Sequence, residues 1–203
     1  MKKLLVAVAV AIVPSMASAS TFDLRNPGIE AIDEVNSFSL TVDGLTATLS
    51  ALPATFDGHN LLLNQTSSGF GVNVDGTTCG STEDSAAIDG GCVGEMIGIV
   101  FNSDVFVNSL RVSNFGVSTT LGMDAGLVTM GAYSYIIAST GLQLLGNTFL
   151  AAGDALYLSY TAGNGFSLDN FTATATSVPE PTTLALLGIG VFATTLARKR
   201  IRA

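Results

Sequence analysis

The feature that most constrains this chain is a period of two. Residues 37–42, Ser-Phe-Ser-Leu-Thr-Val, alternate polar and apolar; Asp43-Gly44 follows, and Leu-Thr-Ala-Thr-Leu-Ser-Ala alternates again over 45–51. A spacing of two sends successive side chains to opposite faces of a strand, and Asp-Gly supplies the left-handed backbone that a two-residue hairpin turn needs. A hairpin is therefore predicted, with Phe38, Leu40 and Val42 on the same face as Leu45, Ala47 and Leu49. Further strands are expected at 60–65, 70–74, 95–101, 105–113, 127–138, 141–145, 155–161 and 166–175, with Gly, Asn and Asp in most gaps. Long helical periodicity and fixed-period repeats are missing between the two end segments. Many short strands of this kind predict an all-β ectodomain, a β-sandwich or jelly-roll-like fold, over residues 20–177. Residues 20–35 are less regular, and Ala31 to Val35 reads as a helical turn.

The ends differ from the middle. Lys2 and Lys3 precede an unbroken apolar run from Leu4 to Val13, and Ala17-Ser18-Ala19 offers small residues to a signal peptidase. Residues 1–19 are expected to be a signal-peptide helix, cleaved before Ser20. A permanent anchor is the alternative, but ten residues make a helix of about 15 Å against a hydrocarbon core of about 30 Å. At the other end Val178-Pro179-Glu180-Pro181 precedes an apolar stretch, 182–197, and a basic tail, 198–203, carrying Arg198, Lys199, Arg200 and Arg202. The stretch is expected to be a short transmembrane helix, its orientation set by the basic tail staying cytoplasmic. The two prolines hold the preceding segment extended and open to a protease. A plain anchor on a stiff stalk is the alternative.

This ending resembles the PEP-CTERM sorting signal of exported bacterial proteins: a Pro-Glu-Pro motif, a hydrophobic helix and an arginine-rich tail, in that order over 178–203. The resemblance implies recognition by an exosortase, a membrane-embedded cysteine protease that cuts near the motif, in a bacterium that makes extracellular polysaccharide or a related surface layer. The run from Gly69-Phe70-Gly71-Val72 through Ile88-Asp89-Gly90-Gly91 to residues 95–101, with the late Ser167-Leu168-Asp169-Asn170-Phe171, is similar to one group of PEP-CTERM ectodomains. That likeness implies a β-sandwich and says nothing about activity.

Charge excludes some functions. Between Ser20 and Val178 stand only Arg25 and Arg111 against fifteen acidic residues, a net charge of −13, with no lysine. Nucleic-acid binding needs a basic face, so it is excluded, as is docking of the body on anionic lipid. The missing lysine also rules out Lys–Asn isopeptide staples. Asn64-Gln65-Thr66 and Asn170-Phe171-Thr172 match the N-glycosylation pattern, unused by default in such a bacterium.

Candidate chemistry is sparse. Cys79 and Cys92 are the only cysteines; in an oxidising compartment they are expected to pair and tie down a polar loop, stabilising by roughly 3 kcal/mol. His59 is the sole histidine and lacks a nucleophile-elbow serine, so it reads as a loop residue. Asp75, Glu83, Asp84 and Asp89 gather in and beside the cysteine loop and offer oxygen ligands for calcium, although EF-hand spacing fails. Asp23 and Asp169 are a second calcium candidate, by analogy with jelly rolls that hold an ion between first and last strands. Solvated carboxylates are the plainer reading of both. Tyr133 and Tyr135 share a face, Tyr157 and Tyr160 lie on opposite faces, and packing is the plainer role for most of them.

The sequence thus predicts an exported, exosortase-processed, non-enzymatic surface or extracellular-matrix protein, structural or adhesive, associated with exopolysaccharide. A calcium-dependent carbohydrate-binding module is the first alternative and a secreted hydrolase the second. Signal peptidase, exosortase and, transiently, the inner membrane are its expected partners, with the ectodomain outside the cytoplasm.

Overall fold

The structure is a computed structural model that describes residues 18–25, 32, 34–74, 87–90, 94–114, 117–118 and 122–176. Residues 18–176 form one compact unit. The strands in chain order are β1 (Ala19–Asp23), β2 (Ser37–Val42), β3 (Leu45–Leu52), β4 (Thr55–Phe56), β5 (His59–Thr66), β6 (Gly69–Val74), β7 (Met96–Phe101), β8 (Val105–Ser113), β9 (Val117–Ser118), β10 (Gly122–Met123), β11 (Ala125–Met130), β12 (Tyr133–Ile137), β13 (Gly141–Leu150), β14 (Ala155–Ala162) and β15 (Ser167–Ala175). No helix occurs among the described residues.

Two antiparallel sheets carry the fold. One runs β13-β8-β15-β6-β5-β4, with β1 added along β15; the other runs β12-β11-β14-β7-β3-β2. The expected hairpin is there: Phe38 pairs with Leu49, Leu40 with Ala47 and Val42 with Leu45. Its turn residues Asp43 and Gly44 both have positive φ, 51° and 80°, which matches the right-handed twist of the flanking strands. Strand β3 buries Leu45, Ala47, Leu49 and Ala51 and turns Thr46, Thr48 and Ser50 the other way. That alternation gives each sheet one apolar face, and the two apolar faces must cover each other.

They do so through one continuous core. Its centre is aromatic. Phe22 of β1 stacks on Phe171 of β15 at 4.7 Å, and both meet Phe101 of β7 edge-on, at 6.0 and 5.9 Å. Phe38 of β2 stacks on Phe70 of β6 at 5.3 Å. Rings from opposite sheets therefore touch at two places, and each such pair adds about 0.5–1.5 kcal/mol to its area burial.

Several expectations need correction. The segment 127–138 is two strands, because Gly131 (φ 56°) turns the chain between β11 and β12. Ala31–Val35 does not end as a helical turn: Val35 bridges Leu63, and Glu34 has φ 53°. Residues 20–23, which read as irregular, form with Ala19 a strand paired with β15 from Ala19↔Thr174 to Asp23↔Asn170. Strand β13 runs on to Leu150, past a register shift between Leu144 and Thr148 where Gly146 and Asn147 both have positive φ. That bulge breaks the alternation, which is why the pattern stopped at 145.

Candidate functional site

The outer face of the six-stranded sheet is a neutral surface. One row crosses all six strands through the registers Ser37↔Ser50, Ser50↔Gly98, Gly98↔Tyr157, Tyr157↔Thr129 and Thr129↔Ser134. Beside it run Ser39↔Thr48 and Thr41↔Thr46, whose hydroxyls are hydrogen-bonded across the hairpin at 2.8 Å in each pair. The next rungs are Thr48↔Val100 and Val100↔Ala155 on one side, and Ser159↔Leu127 and Leu127↔Ile136 on the other. None of these outward positions is charged, although the surrounding polypeptide carries −13. Tyr157 is 39% exposed, and its ring leans over Gly98, where a Cβ would stand 3.6 Å from Tyr157 Cε1 and 2.9 Å from Leu52 Cδ1. The missing side chain lets the phenol lie low on the sheet among hydroxyls.

Acidic groups are instead placed in loops or clamped. Asp43, Asp57, Asp104 and Asp154 lie between strands. Asp43 Oδ2 accepts from the Ser20 hydroxyl at 3.3 Å, and Asp104 Oδ1 from the Ala152 amide at 2.8 Å. A second group gathers where residues 87–90, Glu95, Asp124 and Gly163–Gly165 meet. Glu95, 1% exposed, accepts the Asp89 amide on Oε2 at 2.9 Å. Asp124, 2% exposed, accepts the Asn164 amide on Oδ1 at 2.5 Å. The Tyr160 hydroxyl donates to the Gly163 carbonyl at 2.9 Å, and burial, followed by the charges of Asp89 and Asp124, raises its pKa.

The two arginines between Ser20 and Val178 converge on one carboxylate. Asp169, in a β15 bulge between Leu168 and Asn170, is 3% exposed. Its Oδ1 is in ion-pair contact with Arg25 Nε, and its Oδ2 lies 3.3 Å from Arg111 Nε. Arg25 Nε also reaches Asp23 Oδ1 at 3.3 Å. Burial raises the Asp169 pKa and outweighs the opposing pull of Arg25 and Arg111. Arg25 is held protonated more firmly than usual, first by its hydrogen bond to Asp23 and then by the charge of Asp169. The clamp joins the end of β1 to β15 and β8.

The sequence candidates divide accordingly. Asp23 and Asp169 are brought together as neighbours of one guanidinium. Asp89 stands in the acidic loop group with Glu95, which the sequence reading passed over although it is a carboxylate heading an apolar run. His59 opens β5, half-buried, opposite Phe56. Tyr160 packs against the core while Tyr157 faces out, as their spacing implied. Tyr133 and Tyr135 share a face on the β12 edge, and the Tyr135 hydroxyl donates to Gln143 Oε1 at 3.4 Å. Ala19 begins β1. Among the described residues no three His, Cys, Asp or Glu are grouped to hold a metal ion. Ala17, Asp75, Cys79, Glu83, Asp84, Cys92, Val178, Pro179, Glu180, Pro181, Arg198, Lys199, Arg200 and Arg202 lie outside the described residues, as do the expected transmembrane helix and all but the last two residues of the expected signal-peptide helix, of which Ala19 is in a strand.

Comparison with known proteins places the identity in that C-terminal segment. No curated protein and no solved structure matches the chain. One family model does match, the PEP-CTERM protein-sorting motif, over residues 177–200. The chain is therefore a PEP-CTERM domain-containing protein, and the motif implies exosortase-dependent sorting to the cell surface.

Proposed function

We propose that the ectodomain is a non-catalytic, structural or adhesive module that associates with neutral extracellular polysaccharide once the chain has been sorted to the surface. The observation that carries this reading is the charge-free row Ser37, Ser50, Gly98, Tyr157, Thr129 and Ser134 across a whole sheet. Hydroxyl side chains exchange hydrogen bonds with sugar hydroxyls without presenting a charge that must be desolvated. An exposed tyrosine ring offers an apolar face to the C–H side of a sugar. The acidic loops keep the protein soluble and spread while leaving this face free.

The test is co-sedimentation of the exported protein with exopolysaccharide purified from the same host. Binding is expected, and Tyr157→Ala is expected to weaken it about tenfold. Asp43→Asn, at a turn outside the row, should leave it unchanged. Equal binding by the wild type and Tyr157→Ala would refute the assignment of this face. Repeating the assay with chelator separates direct recognition, which persists, from the calcium-dependent alternative, which does not.

A further inference from the structure

We propose that two copies of this chain pair edge to edge through β13. Strand β13 ends its sheet and pairs only with β8 among the described strands, so alternate backbone donors and acceptors face outward along it. Its outward side chains are large and apolar: Leu142 is 59% exposed, Leu144 68% and Phe149 49%, and Phe106 of β8 is 40% exposed. Phe106 and Phe149 face each other across the two strands with ring centroids 5.7 Å apart.

Proteins usually protect such an edge with lysine, proline or an inward-pointing charge. Here the whole stretch from Ala125 to Gly153 contains no Asp, Glu, Lys, Arg, His or Pro. The charge distribution selects the partner. A second copy brings the same strongly negative body and is repelled wherever acidic loops face each other. At β13 that repulsion is small: the strand itself is uncharged, and Arg111, the one charge on the adjoining strand, is held by Asp169.

A two-fold axis at Gln143 makes the contact self-complementary. Antiparallel pairing then sets Leu142 of one copy against Leu144 of the other, as apolar cross-strand neighbours. The bulge at Gly146 and Asn147 ends the regular edge after Leu145. The paired segment is thus short, and the assembly closes at two copies instead of propagating.

The pairing rests on the structural reading above for its use at the surface, not for its geometry. The experiment is sedimentation velocity on the protein as isolated from the exported fraction of an exosortase-containing host. A dimer is expected, tightening as salt rises from about 0.05 to 0.5 M because like-charge repulsion is screened. Leu144→Lys and, separately, Leu142→Lys should each raise the dimer Kd about 100-fold or more, with the melting temperature of the dilute monomer unchanged. Ser39→Lys, on the other sheet, should leave the dimer intact. A wild type that stays monomeric at about 100 μM in high salt overturns the proposal, and so does a dimer indifferent to both lysine variants. Monomers that float with neutral vesicles and lose this in Leu144→Lys assign the patch to lipid and overturn it as well. Polymer co-sedimentation is scored separately: a dimer without polymer binding removes only the polysaccharide reading, and a monomer that binds polymer removes only this one.

Discussion

Phe22 offers the sharpest test of how the β-sandwich is closed. If the signal peptide is cleaved before Ser20, Phe22 is the third residue of the mature chain, where most proteins fray. Yet it is fully buried, stacked on Phe171 at 4.7 Å and edge-on to Phe101 at 6.0 Å. Its strand pairs with β15 from Ser20 to Asp23 in that mature chain. Phe22→Ala removes a ring from the centre of the contact between the sheets, and buried Phe→Ala changes cost about 3–5 kcal/mol. A domain of this size loses about 2–4 °C of melting temperature per kcal/mol, so a fall of about 10 °C is expected. The assay is thermal unfolding of the exported protein, followed in the near-ultraviolet where aromatic packing is seen. Phe38→Ala is the graded control. Phe38 is only half-buried, and its fall should be smaller. A Phe22→Ala loss below about 2 °C would mean that β1 is not docked, and the closure of first strand on last would be refuted.

Other outcomes follow from the same contacts. Gln65 Nε2 donates to the Leu24 carbonyl at 2.5 Å while its Oε1 accepts the Ile32 amide; Gln65→Leu strands both groups and should cost about 1–3 kcal/mol in denaturant unfolding. For Asp169 the folded pKa is raised, so the folded state binds the proton more tightly than the unfolded chain does. Its stabilising contribution is complete below the ordinary carboxylate value and is lost as pH rises through the raised one. Melting curves from neutral pH down to about 4 should therefore show the wild type gaining on Asp169→Asn; a constant or shrinking difference would contradict the burial argument. Mass spectrometry of protein from an exosortase host should find the C-terminus near Pro179–Pro181, and an intact Ala203 would remove the cleavage expectation. If the acidic loops bind calcium, millimolar calcium should raise the melting temperature relative to chelator, and no shift would eliminate that reading.

Local pattern made the central hairpin legible, because alternation and an Asp-Gly turn act within a dozen residues. Strands β5, β6, β7, β8 and β14 were readable for the same reason. The failures have physical causes. Strand β1 carries too few residues for a period to show and is a strand because β15 offers it an edge. The bulge in β13 depends on two adjacent positive-φ residues, which no alternation count registers. The Arg25–Asp169–Arg111 clamp joins residues far apart in the chain. Its one local hint was that Arg25 and Arg111 are the only Lys or Arg residues between Ser20 and Val178. The hydroxyl row was half legible: the outward positions of β2 and β3 read directly as Ser and Thr. That they continue through Gly98 to Tyr157 needed the strand order, which joins β3 to β7 and β7 to β14.

The separation of charge from the sheet faces ties these levels together. A body at −13 could have scattered its carboxylates along every outward strand position, since each is solvated and cheap to charge. Instead most of the described acids cap or border turns, while Asp169 is enclosed with two guanidinium groups. Turn placement has its own local reason, because aspartate side chains accept turn amides, as Asp104 does from Ala152. It does not explain why lysine is missing and the outer face of the six-stranded sheet is uncharged, since charged residues at exposed strand positions would oppose edge pairing and aid solubility. A protein selected only to remain dispersed gains nothing from neutral faces. One that must lie against neutral polymer or against its own copies gains closeness of approach there, and keeps its repulsion at the turns, where it limits association to the intended faces.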